Sequence, residues 1–182
     1  MRVPFNRLNS ISFITLSADL EKKELKINYH VLSSSRDLTI DEKRVFDAAV
    51  MAMANAYAPY SKFNVGCALL LENDEIIIGN NQENIAYPSG LCAERVALFS
   101  ASANFPGVPI KILVVVAQPL AASEEMSITP CGSCRQVMVE YERVQKKPMR
   151  IITGAANGKL IAIDSSKFFL PLAFFDSGLT KD

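Results

Sequence analysis

Three cysteines and one glutamate stand at the spacing best suited to chemistry in this sequence. Cys92 is followed two positions later by Glu94, and Cys131 and Cys134 form a Cys-x-x-Cys pair. Three thiolates bind zinc and leave its fourth tetrahedral position open for water, as catalytic sites do, whereas structural sites are closed by four protein ligands. We therefore predict a hydrolytic zinc site with Cys92, Cys131 and Cys134 as the ligands.

Glu94 is predicted to move protons at this site. Zinc can lower the pKa of a bound water from ~15.7 to about 7, and a carboxylate beside it can pass a proton to a ring nitrogen and a departing amine. Arg95 and Arg135, which directly follow the two motifs, are predicted to donate to sulfur, Arg95 foremost. The simpler alternatives are a helix-capping glutamate and solvated arginines.

The remaining metal-ligating residues leave other readings open. A Cys-x-x-Cys pair also occurs in redox sites and zinc ribbons. A ribbon needs a second such pair, but the only other cysteine, Cys67, lies in an apolar stretch that is typical of a core strand. His30, the only histidine, is not expected to be a ligand. Because a chain of this length does not need disulfides, we predict a reducing, cytoplasmic location.

Composition indicates one soluble globular domain without polynucleotide or membrane partners. The chain has 182 residues, of which 49% are hydrophobic and 21% charged. Lys+Arg and Asp+Glu are 19 each, and this balance argues against a nucleic-acid-binding protein, which usually carries a basic surface. The apolar runs are much shorter than the ~20 residues of a membrane-spanning helix. A signal peptide is not predicted either.

The N-terminal part is predicted to be an extension, residues 1–38, before a catalytic domain at 39–182. Alternating apolar residues in the extension predict one half-buried strand at 25–31. Thr39 and Glu42 form a capping-box pattern, so a helix is expected to start there and to end before Pro59.

Helix and strand patterns alternate through the rest of the sequence. Strands are predicted at 65–71, 76–78, 112–117, 149–153 and 160–163, and helices at 91–103 and 131–144. This order predicts an α/β fold of three layers, with a mixed five-stranded sheet flanked by helices.

Five motifs in order, from about residue 40 to the C-terminus, make the sequence similar to a known family. It resembles the cytidine deaminases of the small, homotetrameric, zinc-dependent type. The motifs are Ala56-Tyr57-Ala58-Pro59-Tyr60-Ser61-Lys62-Phe63, Asn81-Gln82-Glu83-Asn84, Tyr87-Pro88, Cys92-Ala93-Glu94-Arg95 and Pro130-Cys131-Gly132-Ser133-Cys134-Arg135-Gln136.

The resemblance implies one Zn²⁺ per subunit on the three cysteines, with Glu94 as the proton shuttle. It also implies a set of substrate-binding residues. Asn81 and Glu83 would bind the sugar 3′-hydroxyl, Phe63 would pack on the pyrimidine, and the Ala93 main chain would accept from the exocyclic amine. Tyr87 and Phe174 would complete the sites of neighbouring subunits. Alternatively, Phe63 and Phe174 serve only the chain's own core.

The activity that the resemblance implies is hydrolytic deamination of cytidine and deoxycytidine to uridine and deoxyuridine, with release of ammonia. One alternative is another cytosine-bearing nucleoside, such as a nucleoside antibiotic. A polynucleotide-editing deaminase is disfavoured by the zero net charge and because Glu83 would face a 3′-phosphate. A structural zinc module is the third alternative, and in that case Glu94 has no chemical role.

Overall fold

A mixed sheet of six strands is the middle layer of the computed structural model, which describes residues 21–118 and 128–175. The strand order is β1-β6-β5-β4-β2-β3; β4 and β5 are parallel, and the other neighbours are antiparallel. The predicted α/β class is confirmed, but the predicted count of five strands is wrong by one. The strands are β1 (His30–Leu32), β2 (Val65–Leu71), β3 (Ile76–Asn80), β4 (Ile110–Ala117), β5 (Arg150–Ala155) and β6 (Leu160–Ile163).

The additional strand, β1, comes from the N-terminal extension and pairs with β6 at the sheet edge. It is shorter than the strand predicted at 25–31. Leu25, Ile27, Tyr29 and Val31 are all 46% or more exposed, so the alternating pattern does not bury one face. Only the residues that find main-chain partners on β6 are extended in the sheet. Residues 1–20, where a signal peptide was considered, lie outside the described part of the chain.

The helices form the two outer layers. Helix α1 (Ile40–Met53) contributes to one apolar core with the sheet, and α2 (Ala93–Asn104) and α3 (Gly132–Gln145) contribute to the other. The predicted capping box of Thr39 and Glu42 is present. Among the helices of the described ranges, none combines the length and apolarity needed to cross a membrane.

Helix α1 ends six residues before Pro59, earlier than predicted. Residues 54–56 form tight i→i−3 hydrogen bonds, and the Tyr57 N–H then donates to the Asn81 carbonyl at 2.9 Å. Because this hydrogen bond uses the Tyr57 N–H, α1 does not continue. The same hydrogen bond also holds the 57–63 segment next to the loop after β3.

Close packing at Gly79 of β3 sets the position of the first turn of α2. A Cβ at this glycine would lie 2.6 Å from both the Ala93 carbonyl oxygen and the Ala97 nitrogen. Both atoms belong to the helix main chain and cannot rotate away. The absence of a side chain therefore allows the helix start, which carries Cys92 and Glu94, to rest directly on the sheet.

We expect Gly79→Ala to lower the free energy of unfolding by about 1–3 kcal/mol because it overpacks this contact. Thermal unfolding of the purified variant measures the effect. The matched control is Gly132→Ala, at a glycine with no atom within 4 Å of an added Cβ. Equal melting temperatures for the two variants would contradict the packing argument.

Candidate metal centre and active site

Two helix starts bring the predicted metal ligands together. Cys92 is the N-cap of α2 and Cys131 is the N-cap of α3, both with extended main chain. Cys134 lies in the first turn of α3 and is fully buried. Unpaired N–H groups and the helix dipole at these positions favour the thiolate form of cysteine.

The three sulfurs are spaced as zinc requires. The Sγ atoms of Cys92 and Cys131 are 3.9 Å apart, those of Cys131 and Cys134 are 3.5 Å apart, and all three lie within 4.8 Å of one another. A tetrahedral zinc ion with Zn–S bonds of ~2.3 Å holds its sulfurs about 3.8 Å apart. The cluster therefore fits a zinc ion with three thiolate ligands and needs little rearrangement to bind it.

Electrostatic coupling within the cluster favours a thiolate at Cys92. A hydrogen bond from Cys134 and the neighbouring Arg95 guanidinium lower the pKa of Cys92 to about 5. The same hydrogen bond, together with burial, raises the pKa of Cys134. The proton of Cys134 is thus shared with the Cys92 thiolate. Because a metal ligand must be deprotonated, a cation bound between the sulfurs would replace this proton.

Arg95 is placed to balance the thiolate charge. Burial lowers the pKa of its guanidinium, but the hydrogen bond and charge of the Cys92 thiolate, with further contributions from Cys134, outweigh this effect and raise the pKa overall. Its Nη2 donates to the Gly90 carbonyl at 3.4 Å. Among the described residues, Arg95 Nε is the buried side-chain nitrogen that has no hydrogen-bond partner. An unpartnered donor beside the sulfurs is suited to an anionic, metal-bound thiolate.

Arg135 does not share this role, contrary to prediction. Its Nε donates to the Pro130 carbonyl at 2.7 Å, Nη1 to the Phe169 carbonyl at 3.2 Å, and Nη2 to Thr129 Oγ1 at 3.1 Å. The guanidinium also lies 5.3 Å from the centre of the Phe169 ring. Its donors therefore bind the metal loop and the C-terminal segment instead of sulfur.

Glu94 is buried next to the cluster, with 4% of its surface exposed. Burial raises the pKa of Glu94 to about 7, and the charge of the Cys92 thiolate adds to this rise. A carboxyl group with a pKa near neutrality can both accept and return a proton at physiological pH. Ala93, between Cys92 and Glu94, is fully buried with its carbonyl oxygen against Gly79.

The loop after β3 places Asn81 and Glu83 beside the 60–65 segment. Asn81 Oδ1 accepts from the Val65 N–H at 2.8 Å, and Asn81 Nδ2 donates to the Phe63 carbonyl at 2.9 Å. This pair of hydrogen bonds fixes the main chain around Phe63, whose side chain is half-buried. One Nδ2 hydrogen of the Asn81 amide is left over.

Glu83 is held by main-chain donors that the motif alone does not reveal. Its Oε2 accepts from the N–H groups of Tyr60 and Ser61, at 2.9 and 3.2 Å. Hydrogen bonding by Ser61 and Tyr60 lowers the pKa of Glu83, and the Lys62 charge contributes. These main-chain contacts engage one carboxylate oxygen, Oε2, and favour the ionised form of the group.

A cleft of about 250 Å³ lies in front of Glu83. Tyr87 stands on its wall, 77% exposed, and makes an edge-to-face contact with Tyr60 at a centroid distance of 6.3 Å. Gly90, on the same wall, is the residue whose carbonyl binds Arg95. Arg95 thus connects this wall of the cleft to the metal cluster. Its lining residues are Tyr60, Ser61, Glu83, Asn84, Tyr87 and Gly90.

Phe174 is away from any core of its own, because its side chain is 72% exposed. Its main chain is bound by Gln136, a residue inside the second cysteine motif to which sequence reasoning gave no role. Cys67 is fully buried in β2, and burial raises the pKa of its thiol. His30 is on edge strand β1 and is not among the clustered metal-ligating groups of the described residues.

Comparisons with known proteins agree with this geometry. A family model described as the cytidine and deoxycytidylate deaminase zinc-binding region matches residues 39–149. A cytidine deaminase of Halalkalibacterium halodurans is 37% identical over 135 residues, which are 74% of this chain and 95% of the relative. Another, of Sporosarcina psychrophila, is 44% identical over 103 residues, 56% of this chain and 71% of the relative.

Solved structures show the same similarity. The crystal structure of cytidine deaminase from Burkholderia pseudomallei is 37% identical and has a TM-score of 0.63, covering 75% of this chain and 100% of that chain. The matched region of the family model includes all three clustered cysteines, Glu94 and the loop at 81–83.

Proposed function

This chain belongs to the cytidine and deoxycytidylate deaminase family, and we propose that it converts cytidine and deoxycytidine to uridine and deoxyuridine, releasing ammonia. The observation that carries the proposal is the buried Glu94 carboxyl group beside three sulfurs at zinc spacing. A structural zinc module needs the sulfurs but has no use for a buried carboxyl group next to them.

Cys92, Cys131 and Cys134 would hold the zinc ion, and the bound metal would supply an activated water for attack on C4 of the cytosine ring. Glu94 accepts a proton from the attacking water and delivers a proton to ring N3. It then takes the proton of the new hydroxyl on C4 and passes it to the exocyclic amine, so that the C4–N bond breaks, ammonia leaves and the C4 carbonyl of uridine forms. Each turnover consumes one water, and Glu94 returns to its starting protonation state.

Metal dependence gives a direct test of this proposal. Protein stripped of metal by a chelator should form no uridine, and one equivalent of zinc per chain should restore the activity. If the stripped and zinc-loaded proteins are equally active, or equally inactive while zinc is bound at one per chain, the proposal fails.

The loop after β3 and the cleft in front of Glu83 support a free nucleoside as the substrate. Asn81 and Glu83 grip the sugar 3′-hydroxyl, the amide through its remaining N–H and the carboxylate through Oε1, while Phe63 packs on the base. A 3′-phosphate in the same place would meet the ionised Glu83. Together with the zero net charge, this supports a free nucleoside and opposes a polynucleotide. The same contacts of Asn81 and Glu83 are available to any cytosine-bearing nucleoside whose sugar has a 3′-hydroxyl.

We expect Glu83→Gln to lower kcat/KM for cytidine about 10- to 100-fold and to change 3′-deoxycytidine much less. The reason is that a site built to bind a hydroxyl discriminates strongly against an analogue that lacks it. Steady-state kinetics with both nucleosides and cytidine 3′-phosphate measure the effect. Because the pKa of Glu83 is lowered, Glu83 should stay ionised until the pH falls below the ordinary carboxyl range. The wild-type affinity for the sugar hydroxyl should therefore weaken only at that low pH. Equal losses for both nucleosides would refute the hydroxyl contact.

The active protein is a homotetramer in which neighbouring subunits complete each site with Tyr87 and Phe174. Two features support this. The cleft of about 250 Å³ falls below the ~300 Å³ at which small-molecule pockets usually begin, and several of the exposed side chains on and beside its walls are apolar. They include Tyr57, Tyr60, Ile85 and Tyr87. Light scattering after gel filtration should give a multimer, and an active monomer would defeat the shared site.

The cytoplasm is the compartment suited to this site. All four cysteines are free thiols, and three of them must stay reduced to bind zinc. Oxidising compartments would favour a disulfide between closely spaced sulfurs.

A further inference from the structure

The side chain of Gln136 makes two hydrogen bonds to the main chain of a single residue. Its Nε2 donates to the Phe174 carbonyl at 3.0 Å, and its Oε1 accepts from the Phe174 N–H at 3.1 Å. A carboxamide offers a donor and an acceptor side by side, whereas a carboxylate or a thioether cannot supply both. The contact therefore depends on the amide and fixes the main chain of Phe174.

Arg135, the preceding residue, holds the other end of the same segment. Its Nη1 donates to the Phe169 carbonyl at 3.2 Å and its guanidinium stacks on the Phe169 ring at 5.3 Å. The chain at 169–174 is thus tied at both ends to adjacent residues of α3. That helix also carries Cys134, so the position of the segment is fixed relative to the metal centre.

The ring of Phe174 is presented to solvent even though its main chain is fixed. It is 72% exposed, so the two hydrogen bonds to Gln136 do not serve to bury it in the core of this chain. Holding the main chain rigid while the ring projects outward lowers the entropy lost when the ring contacts another molecule. This arrangement suits an aromatic group that is contributed to a neighbouring subunit.

We propose that Gln136 is a positioning residue, which sets the place of the Phe174 ring and thereby its contact with the nucleoside in a neighbouring subunit. The inference rests on the proposed function, since it requires nucleoside turnover at shared sites. Gln136 itself touches no substrate and acts only through Phe174.

The chain contains a matched control on the same helix. Gln145 makes the same two-point contact with Ile110 of β4: Oε1 accepts from the Ile110 N–H at 2.9 Å and Nε2 donates to the Ile110 carbonyl at 3.1 Å. Gln145 Nε2 also donates to the Lys147 carbonyl at 2.8 Å. Because these contacts tie the far end of α3 to the sheet, breaking them is the same substitution made away from the proposed nucleoside site.

The test compares Gln136→Met, Gln145→Met, Phe174→Ala and the double variant Gln136→Met/Phe174→Ala, each zinc-loaded. We expect Gln136→Met to raise KM for cytidine about tenfold, as a loss of binding, with kcat changed less than about twofold. Phe174→Ala should raise KM at least as much, and the double variant should not exceed it. Gln145→Met should lower the melting temperature without raising KM.

Three results would overturn the inference. In the first, the KM effects of Gln136→Met and Phe174→Ala multiply in the double variant, so that the two residues act independently. In the second, Gln145→Met raises KM as much as Gln136→Met does, which indicates a general loss of stability. In the third, a further cycle with Phe175→Ala, the adjacent phenylalanine, shows that the KM effect of Gln136→Met depends on Phe175 and not on Phe174.

Amide hydrogen exchange separates this inference from the proposed function. In Gln136→Met, exchange at the Phe174 amide should accelerate at least about tenfold. The Phe169 amide, which donates to Ser166 at 2.9 Å, should not change. If wild-type protein fails to deaminate cytidine, the proposed function fails by itself. If exchange at Phe174 is unaltered, the positioning role fails whether or not the protein is active.

Discussion

Replacing Glu94 with glutamine is expected to lower kcat for cytidine by at least about 10²–10⁴-fold while the protein stays folded and zinc-loaded. Glutamine fills the same volume but cannot accept or return a proton, and general acid–base catalysis contributes about that much. Zinc content should not change, because Glu94 is not among the three clustered ligands. The measurements are steady-state kinetics, zinc per chain and melting temperature.

A second buried glutamate provides the matched control. Glu142 on α3 accepts hydrogen bonds from the Met149 N–H and from both the N–H and the hydroxyl of Ser166, at 2.7–3.0 Å, as well as one from Ser165. Glu142→Gln should therefore lower the melting temperature and leave kcat per folded molecule nearly unchanged. If Glu94→Gln keeps full turnover, or if it is inactive only because it unfolds, the catalytic role of Glu94 is wrong.

Cys131→Ser is expected to remove zinc, abolish activity and lower stability together. Thiolate–zinc bonds from Cys92 at one helix start and from Cys131 and Cys134 at the other tie α2 to α3, and zinc binding contributes directly to folding free energy. A loss of about 3 kcal/mol corresponds to roughly 10 °C in melting temperature for a domain of this size. Metal analysis and thermal unfolding measure both effects.

Cys67→Ala is the control that removes a sulfur outside the cluster. Cys67 is fully buried in β2, so the variant should lose some stability through a small cavity but keep one zinc per chain and its turnover. Loss of zinc from Cys131→Ser with no change in melting temperature would contradict the idea that the metal links the two helices.

Local patterns were sufficient for the core elements and for the centre of the site. The capping box at Thr39 and Glu42, the apolar run of β2 and the cysteines at two helix starts depend on neighbours in sequence. They were therefore predictable, and the structure has them.

Features that depend on distant partners were predicted poorly. The length of the strand in the extension is limited by its pairing with β6. Helix α1 ends shortly before Tyr57, whose N–H donates to the Asn81 carbonyl. Arg135 follows a metal cysteine in sequence, but its Nη1 donates to the Phe169 carbonyl, 34 residues further on. No local spacing contains such information. The same holds for the contact of Gln136 with Phe174, 38 residues away.

We expect Glu94 and the three-thiolate zinc site to deaminate free cytosine nucleosides. Ammonia release tests it most directly, measured with zinc-loaded wild type and Glu94→Gln on cytidine, deoxycytidine, CMP, cytosine and adenosine. We predict turnover of cytidine and deoxycytidine alone, and its loss in the variant. No ammonia from any of these compounds, with one zinc bound per chain, would contradict the account, and so would equal turnover by the variant.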